Sequence, residues 1–215
     1  MSNKHYYNYQ YDIAKAMSGY NAKTQSKHFG LIDAHILSLI KSFYDNDQWF
    51  HMTNAEIAAI MLVSEATVKR SINKLFKFGL LKKEVVGETT FEGRTIVYCP
   101  NDFIAANNTI YGFKIDRNVT DKINNYNSVA TQDKFSLVDI SVMSLIASFS
   151  DNEQFFYMLN NTMQDILLVS QPTISKSIKL LEKYDIISVQ RSTSSTRSII
   201  VNNINKPESN PEIAW

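Results

Sequence analysis

The sequence is poor in the residues that staple or punctuate a chain. One of its 215 residues, Cys99, is a cysteine, which excludes an intramolecular disulfide and a thiolate zinc cluster. Six glycines and four prolines leave little room for Gly-rich phosphate loops or Pro-rich linkers. No apolar run approaches the ~20 residues of a membrane span. The N-terminal segment is polar and Tyr-rich, without the apolar stretch of a secretory signal. Neither sign of charge dominates, with 22 Lys+Arg against 21 Asp+Glu and a net charge of +1. Attraction to a polyanion must therefore come from a local face. The composition predicts a cytoplasmic protein that makes no use of membranes.

What the chain does have is an internal repeat. A shift of 106 residues aligns Phe29–Val85 with Phe135–Arg191 without a gap, and 23 of the 57 pairs are identical. LIKSFYDNDQWFHM (39–52) falls on LIASFSDNEQFFYM (145–158), and LVSEATVKRSI (62–72) on LVSQPTISKSI (168–178). Such agreement marks a duplication, and repeats reset the fold question. Upstream, YNYQYD (7–12) matches YGFKID (111–116) at an offset of 104, and both alternate large apolar with small or polar residues as a strand does. Tyr20-Asn21 then matches Tyr126-Asn127 at the 106 offset. The expected domains are 1–105 and 106–203, joined by a short polar connection near Asn107-Asn108-Thr109, with a tail over 204–215.

Within one unit, Leu31 to Phe43 carries apolar residues at helical spacing. Asp45-Asn46-Asp47 is turn chemistry, and Trp49–Met52 is short and aromatic, as in a brief strand. Thr53-Asn54-Ala55-Glu56 has the form of a capping box and opens a helix to about Met61. Leu62-Val63-Ser64 makes a turn, and Ser64 caps the next helix, whose inner seam is Val68, Ile72 and Leu75. Gly79 stands where that helix should stop. Strands are expected over Leu80–Val86 and Arg94–Cys99, around a loop at 87–93. The second unit predicts helices at Leu137–Phe149, Asn161–Leu167 and Ser170 to Asp185, then strands at Ile186–Arg191 and Arg197–Asn202.

Strand, helix, helix, turn, helix, hairpin is the order of a winged helix-turn-helix. The segment IAAIMLVSEATVKRSINKLFKFGLLKK (57–83) resembles that family, and its counterpart does too. The fold class implied is α+β, mainly α, with two tandem duplicated winged helix-turn-helix domains. Two departures stand out. The turn position often held by Gly is Leu62 and Leu168, and the small Ala58 between the helices becomes Gln164 in the second unit, which predicts either a different helix packing there or a drift from DNA reading toward another role.

The resemblance implies that the helix after the turn enters the DNA major groove with its N-terminal residues at base edges. With the seam inward, the outward set in the first unit includes Ser64, Thr67, Lys69, Arg70, Asn73, Lys74 and Lys77. In the second it includes Gln171, Thr173, Ser175, Lys176 and Lys179. Ser64–Val85 holds six basic and two acidic residues, and Ser170–Arg191 four and two, so near-neutrality overall hides two basic faces. Arg70 suits guanine O6 and N7, and Asn73 an adenine edge. Thr67 and Thr173 suit a phosphate or a thymine methyl, and the lysines suit phosphates. The hairpins would bring Lys82, Lys83 and Arg94, and in the second unit Arg191 and Arg197, to the backbone or minor groove. A Lys-rich helix face is most often simply solvated; the register, the duplication and the basic hairpins favour DNA here.

Other chemistry has weaker signals. His5, His28, His35 and His51 lack metal-ligand spacing, and Asp45-Asn46-Asp47 lacks the Gly and Glu of a calcium loop. No Walker A, HExxH or G-x-S-x-G sequence occurs, so neither an enzyme nor a cofactor or metal is expected. Cys99 reads as a small buried hydrophobe, the recurring Phe29, Phe43, Phe50, Phe135, Phe149 and Phe156 as core, and the N-terminal tyrosines as half-buried strand residues or a contact between two copies.

The function expected is sequence-specific double-stranded DNA binding by two reading heads in one chain, most simply a transcriptional regulator of a bacterium or mobile element. An alternative is a plasmid or phage replication initiator binding an origin, since small initiators are similar in carrying two winged helices in tandem. Host replication or transcription proteins, and a second copy of the chain, are the protein partners either role implies. A different class is a protein-interaction adaptor or inhibitor built on a winged-helix scaffold.

Overall fold

The computed structural model describes residues 5–83, 96–99, 112–150, 156, 158–191 and 197–202. Among these residues the chain is α+β and mainly helical, with eight helices and six short strands. It divides into two compact units, residues 6–112, and residues 113–215 with the first five. The expected border at 105/106, the polar connection and the 204–215 tail lie outside the described residues.

The first unit runs β1 (His5–Gln10), α1 (Tyr11–Thr24), α2 (Leu31–Asp45), α3 (Asn54–Met61), α4 (Glu65–Lys77), β2 (Leu81–Lys83) and β3 (Ile96–Tyr98). The second repeats the order as β4 (Gly112–Asp116), α5 (Arg117–Val129), α6 (Leu137–Ser150), α7 (Asn160–Leu167), α8 (Gln171–Lys183), β5 (Ile187–Arg191) and β6 (Arg197–Val201). β2 and β3 pair antiparallel with Leu81 opposite Tyr98, and β5 and β6 with Ile187 opposite Val201. The aromatic stretch before α3 contributes a single bridge, Phe50 to Ile96, and the second unit repeats it as Phe156 to Ile199.

Each unit thus has four helices, where the spacing of apolar residues predicts three. The helix passed over, α1, contains Ser18, Gly19, Asn21 and Thr24, all of weak helix propensity. The period-two tyrosines also run up to its first residue. Burial decides the matter, for Ile13, Ala14 and Met17 are fully enclosed. In α5 the signal was present in Val119, Ile123 and Tyr126, spaced i, i+4, i+7, amid residues that otherwise read as loop.

The same small latch closes the loop after both of these helices. Asn21 donates through Nδ2 to the Phe29 carbonyl at 2.8 Å and accepts through Oδ1 from the His28 and Phe29 amides at 2.9 Å. Asn127 does likewise for Phe135, at 2.7 and 2.9 Å. One residue earlier, Tyr20 sets its ring edge-on to Phe29 and to Phe78, just past α4, and Tyr126 packs on Phe135 and Tyr184. Each latch therefore ties the opening helix of its unit to the end of its last helix. Aromatic pairs of this kind add about 0.5–1.5 kcal/mol beyond area burial. Of the six recurring phenylalanines, Phe29, Phe50, Phe135 and Phe156 are buried, whereas Phe43 and Phe149 are half-buried. Cys99 is half-buried too, because it lies just beyond β3 and outside the core.

β1 lies along α2 in the first unit. Tyr7 and Tyr9 are buried there, Tyr7 Oη hydrogen-bonds His35 Nδ1 at 2.6 Å, and the Gln10 amide donates to Ser38 Oγ at 3.1 Å. Burial holds the imidazole neutral and pushes its pKa from 6.5 down to about 3. An unfolded His35 takes up a proton as pH falls through its ordinary value, while the folded one resists until far lower. Its contribution is therefore complete above pH 6.5 and is lost as the pH falls toward 3, at up to about 1.4 kcal/mol per pH unit. Urea unfolding between pH 7 and 4 is expected to show this loss. His35→Gln should make the pH dependence shallower by that amount, and an unchanged slope would reject the account.

Candidate nucleic-acid interface

The α3–turn–α4 segment is assembled by local chemistry. Thr53 Oγ1 accepts from the Glu56 amide at 3.2 Å and the Glu56 carboxylate accepts from the Thr53 amide at 2.7 Å, the reciprocal pattern of a capping box. These bonds hold the Glu56 carboxyl below its usual range. α3 ends at Leu62, which takes the left-handed conformation at φ 51°, and Leu168 takes it at φ 55° after α7. A leucine there costs roughly 1–2 kcal/mol, so tertiary packing must hold the turn. Ser64 then caps α4, accepting from the Thr67 amide at 3.3 Å. Gly79, at φ 68°, lies just past the end of α4, and Asp185 at φ 55° does the same after α8.

The seam of α4 is as expected: Val68, Ile72 and Leu75 are buried, as are Ile174, Ile178 and Leu181 in α8. Each such side chain contributes about 1.5–3 kcal/mol on burial, and α4 rests on α2 and α3 as α8 rests on α6 and α7. Gln164 does not disturb α7. It points to solvent, while its neighbour Met163 fills the place held by Ile57 in α3.

On the other side of α4, Ser64, Lys69, Arg70, Asn73 and Lys77 are exposed. Thr67 is half-buried. Arg70 folds back, donating from Nε to the Ala66 carbonyl at 3.3 Å and from its guanidinium to Thr67 Oγ1 at 3.2 Å. These exposed bonds are weak enough to exchange for a ligand's acceptors. Lys83, in β2, is exposed with its ammonium over the Phe76 ring at 5.9 Å. Arg94 lies outside the described residues. In α8, Gln171, Lys176 and Lys179 are exposed or partly so, with Thr173 half-buried. Ser175 is half-buried and accepts from Asn160 Nδ2 at 3.0 Å. Arg191 and Arg197 are opposed in the β5–β6 register, and their side chains lie outside the described residues.

Lys74 belongs to a different arrangement from the one its helical position predicts. Its ammonium lies 2.7 Å from Asp33 Oδ2, on a carboxylate that is 1% exposed. The same oxygen accepts from the Gly30 amide at 2.9 Å, and Oδ1 accepts from Ser71 Oγ at 2.6 Å. α4 is thereby pinned to the first turn of α2 by its own basic residue. Sequence patterning could not separate this lysine from Lys69 or Lys77, since all three lie off the apolar seam. The only signal was the buried acid at an N-terminal helix position, Asp33, repeated as Asp139.

The second unit keeps the acid and changes its partners. Asp139 accepts from the Ser136 amide at 2.7 Å and from Ser136 Oγ at 2.6 Å, and Leu180 stands where Lys74 does. Ser177, the counterpart of Ser71, has a buried Oγ with no hydrogen-bond partner among the described residues. At its far end α8 is tied instead through the Lys183–Asp133 ion pair and through Tyr184 Oη, 3.3 Å from the same carboxylate.

Among the described residues, no group of three His, Cys, Asp or Glu is placed to hold a metal ion, and no helix is long and apolar enough to cross a membrane. No protein-family model matches the chain, and no curated protein is significantly similar to it.

The two serines should respond in opposite ways. Ser71→Ala removes a donor from a buried carboxylate and is expected to cost about 1–3 kcal/mol. Ser177→Ala removes a hydroxyl that has no partner among the described residues and should be neutral or slightly stabilising. Urea midpoints of the two variants test this, and equal losses would contradict it.

Proposed function

We propose that the chain binds double-stranded DNA in a sequence-specific way, with each unit acting as a winged helix-turn-helix, and that it serves as a regulator of transcription. The observation that carries this reading is α4 itself. It is capped at Ser64, fixed from behind by its apolar seam and by Asp33, and it presents Lys69, Arg70, Asn73 and Lys77 together on its open face. A pair of short antiparallel strands follows, with Lys82 and Lys83 exposed on the first. Arg70 and Asn73 are the residues whose donor geometry suits base edges. Lys69, Lys77 and Lys83 suit phosphates, which position the protein without reading sequence. Lys74 serves to hold α4 in place and is not assigned a phosphate.

In the second unit Lys176 and Lys179 are the cations of the matching face. The sparser charge and the exposed Gln171 give it the weaker expected hold on DNA. Origin binding by a replication initiator would use the same faces and differs in the arrangement of sites on the DNA.

Selection from a randomised duplex pool tests the reading. Wild type is expected to enrich a two-part motif. Arg70→Ala with Asn73→Ala should lose one part and cost about 1–3 kcal/mol per base pair no longer read. Lys176→Ala with Lys179→Ala should weaken the other part and lower the salt dependence by about 0.9 for each phosphate no longer neutralised. No enrichment by wild type, or enrichment untouched by either pair, would reject DNA reading through these helices and leave an adaptor built on the same scaffold.

A further inference from the structure

The first unit carries a cleft on the side where α2 ends and the paired strands begin. Its volume is about 650 Å³, within the range of about 300–1,000 Å³ common for small-ligand sites. Ile40, Phe50 and Ile96 line its apolar base, and Tyr44, Trp49 and Tyr98 give it aromatic walls. Asp45 and Asp47 give the lining an acidic edge, and Lys82 lines it as well. Two of the aromatic rings are turned to solvent to an unusual degree, Tyr44 at 45% and Trp49 at 55% exposure.

The duplication shows which of these residues the fold requires. The base is kept: Ile40, Phe50 and Ile96 correspond to Ile146, Phe156 and Ile199, and the Phe–Ile bridge is repeated. In the sequence, Asp45 and Asp47 are matched by Asp151 and Glu153. The aromatic positions are kept only in part. Tyr44 is matched by Ser150 and Trp49 by the smaller Phe155. The strand registers place Val201 where Tyr98 stands. The repeat therefore does without an aromatic ring at the positions of Tyr44 and Tyr98, and the exposed ring of Tyr44 calls for a reason other than packing.

The walls already hold one cation. Lys41 Nζ sits 5.6 Å from the centre of the Tyr98 ring while bound to Asp45 at 2.7 Å, and the matching residue in the second unit is Ala147. Tyr44 meets Tyr98 edge to face at 5.5 Å. Burial, with the negative charges of Asp12 and Asp45, pushes the Tyr98 phenol up to about 12, so this wall stays uncharged at neutral pH. Faces of Tyr and Trp beside a carboxylate are the recognised chemistry for organic cations.

We propose that this cleft is a binding site for a small organic cation, an ammonium or amidinium carried on a flat aromatic body. The body would lie against Tyr44 and Trp49 over the apolar base, with the positive group toward Asp47. The site is made by the first unit alone and stands whether or not α4 reads DNA.

Calorimetric titration of the full chain with benzamidinium and with protonated tryptamine, against neutral benzamide as the uncharged control, tests the proposal. At least one cation is expected to bind saturably with one site per chain, and benzamide to bind about tenfold more weakly or not at all. Tyr44→Ser, which installs the residue of the second repeat at an exposed position, and Asp47→Asn should each weaken the cation several-fold, and Asp47→Asn should leave the thermal midpoint unchanged. Failure of both cations to saturate, equal binding of benzamide, or binding unchanged in both variants would overturn it.

Discussion

The carboxylate of Asp33 is the point on which the first unit turns. It is enclosed near the start of α2 and takes hydrogen bonds from Gly30, Ser71 and Lys74, the last two from α4. An ionised carboxylate in such a place is tolerated only with its partners. Any rotation of α4 that moved Ser71 or Lys74 away would leave it bare. An apolar seam alone lets a helix slide or roll by small amounts, since hydrophobic contact has no direction. The two donors from α4 remove that freedom and so fix which of its residues face outward.

The turn between α3 and α4 depends on this anchoring. Leu62 accepts a left-handed backbone that its side chain disfavours, and the energy comes from packing α4 onto α2 and α3. In the second unit Leu168 carries the same strain, but the anchor differs. Asp139 turns to Ser136, Leu180 replaces Lys74, and Asn160 reaches Ser175. Duplicated halves thus keep a geometry while exchanging the interactions that enforce it. The Ser177 hydroxyl, without a partner among the described residues, is what remains when one of those exchanges is incomplete.

The cleft and the exposed face of α4 are features of the same unit that draw on opposite charge. Lys69, Arg70 and Lys77 gather on α4, whereas Asp45 and Asp47 gather at the end of α2. This separation is how a chain with a net charge of +1 can hold a strongly basic face. A polyanion attracted to α4 would be repelled by the acidic edge, which favours one orientation of approach.

The chain's sequence carries the duplication, the α3–turn–α4 segment with its caps, and the apolar seams of α4 and α8. These are local or periodic properties: Thr53 and Glu56 find each other three residues apart, and Val68, Ile72 and Leu75 share a face whatever lies opposite. It did not reveal α1, whose weak propensity is overridden by the burial of Ile13 and Met17. Nor did it reveal that Lys74 is engaged by Asp33, because partners 41 residues apart leave no mark in periodicity. The cleft was equally hidden, since its walls come from α2, the turn beyond it and the paired strands. Which basic residues of α4 remain open to a ligand is set by long-range folding, because it depends on which of them an acid elsewhere in the chain has already claimed.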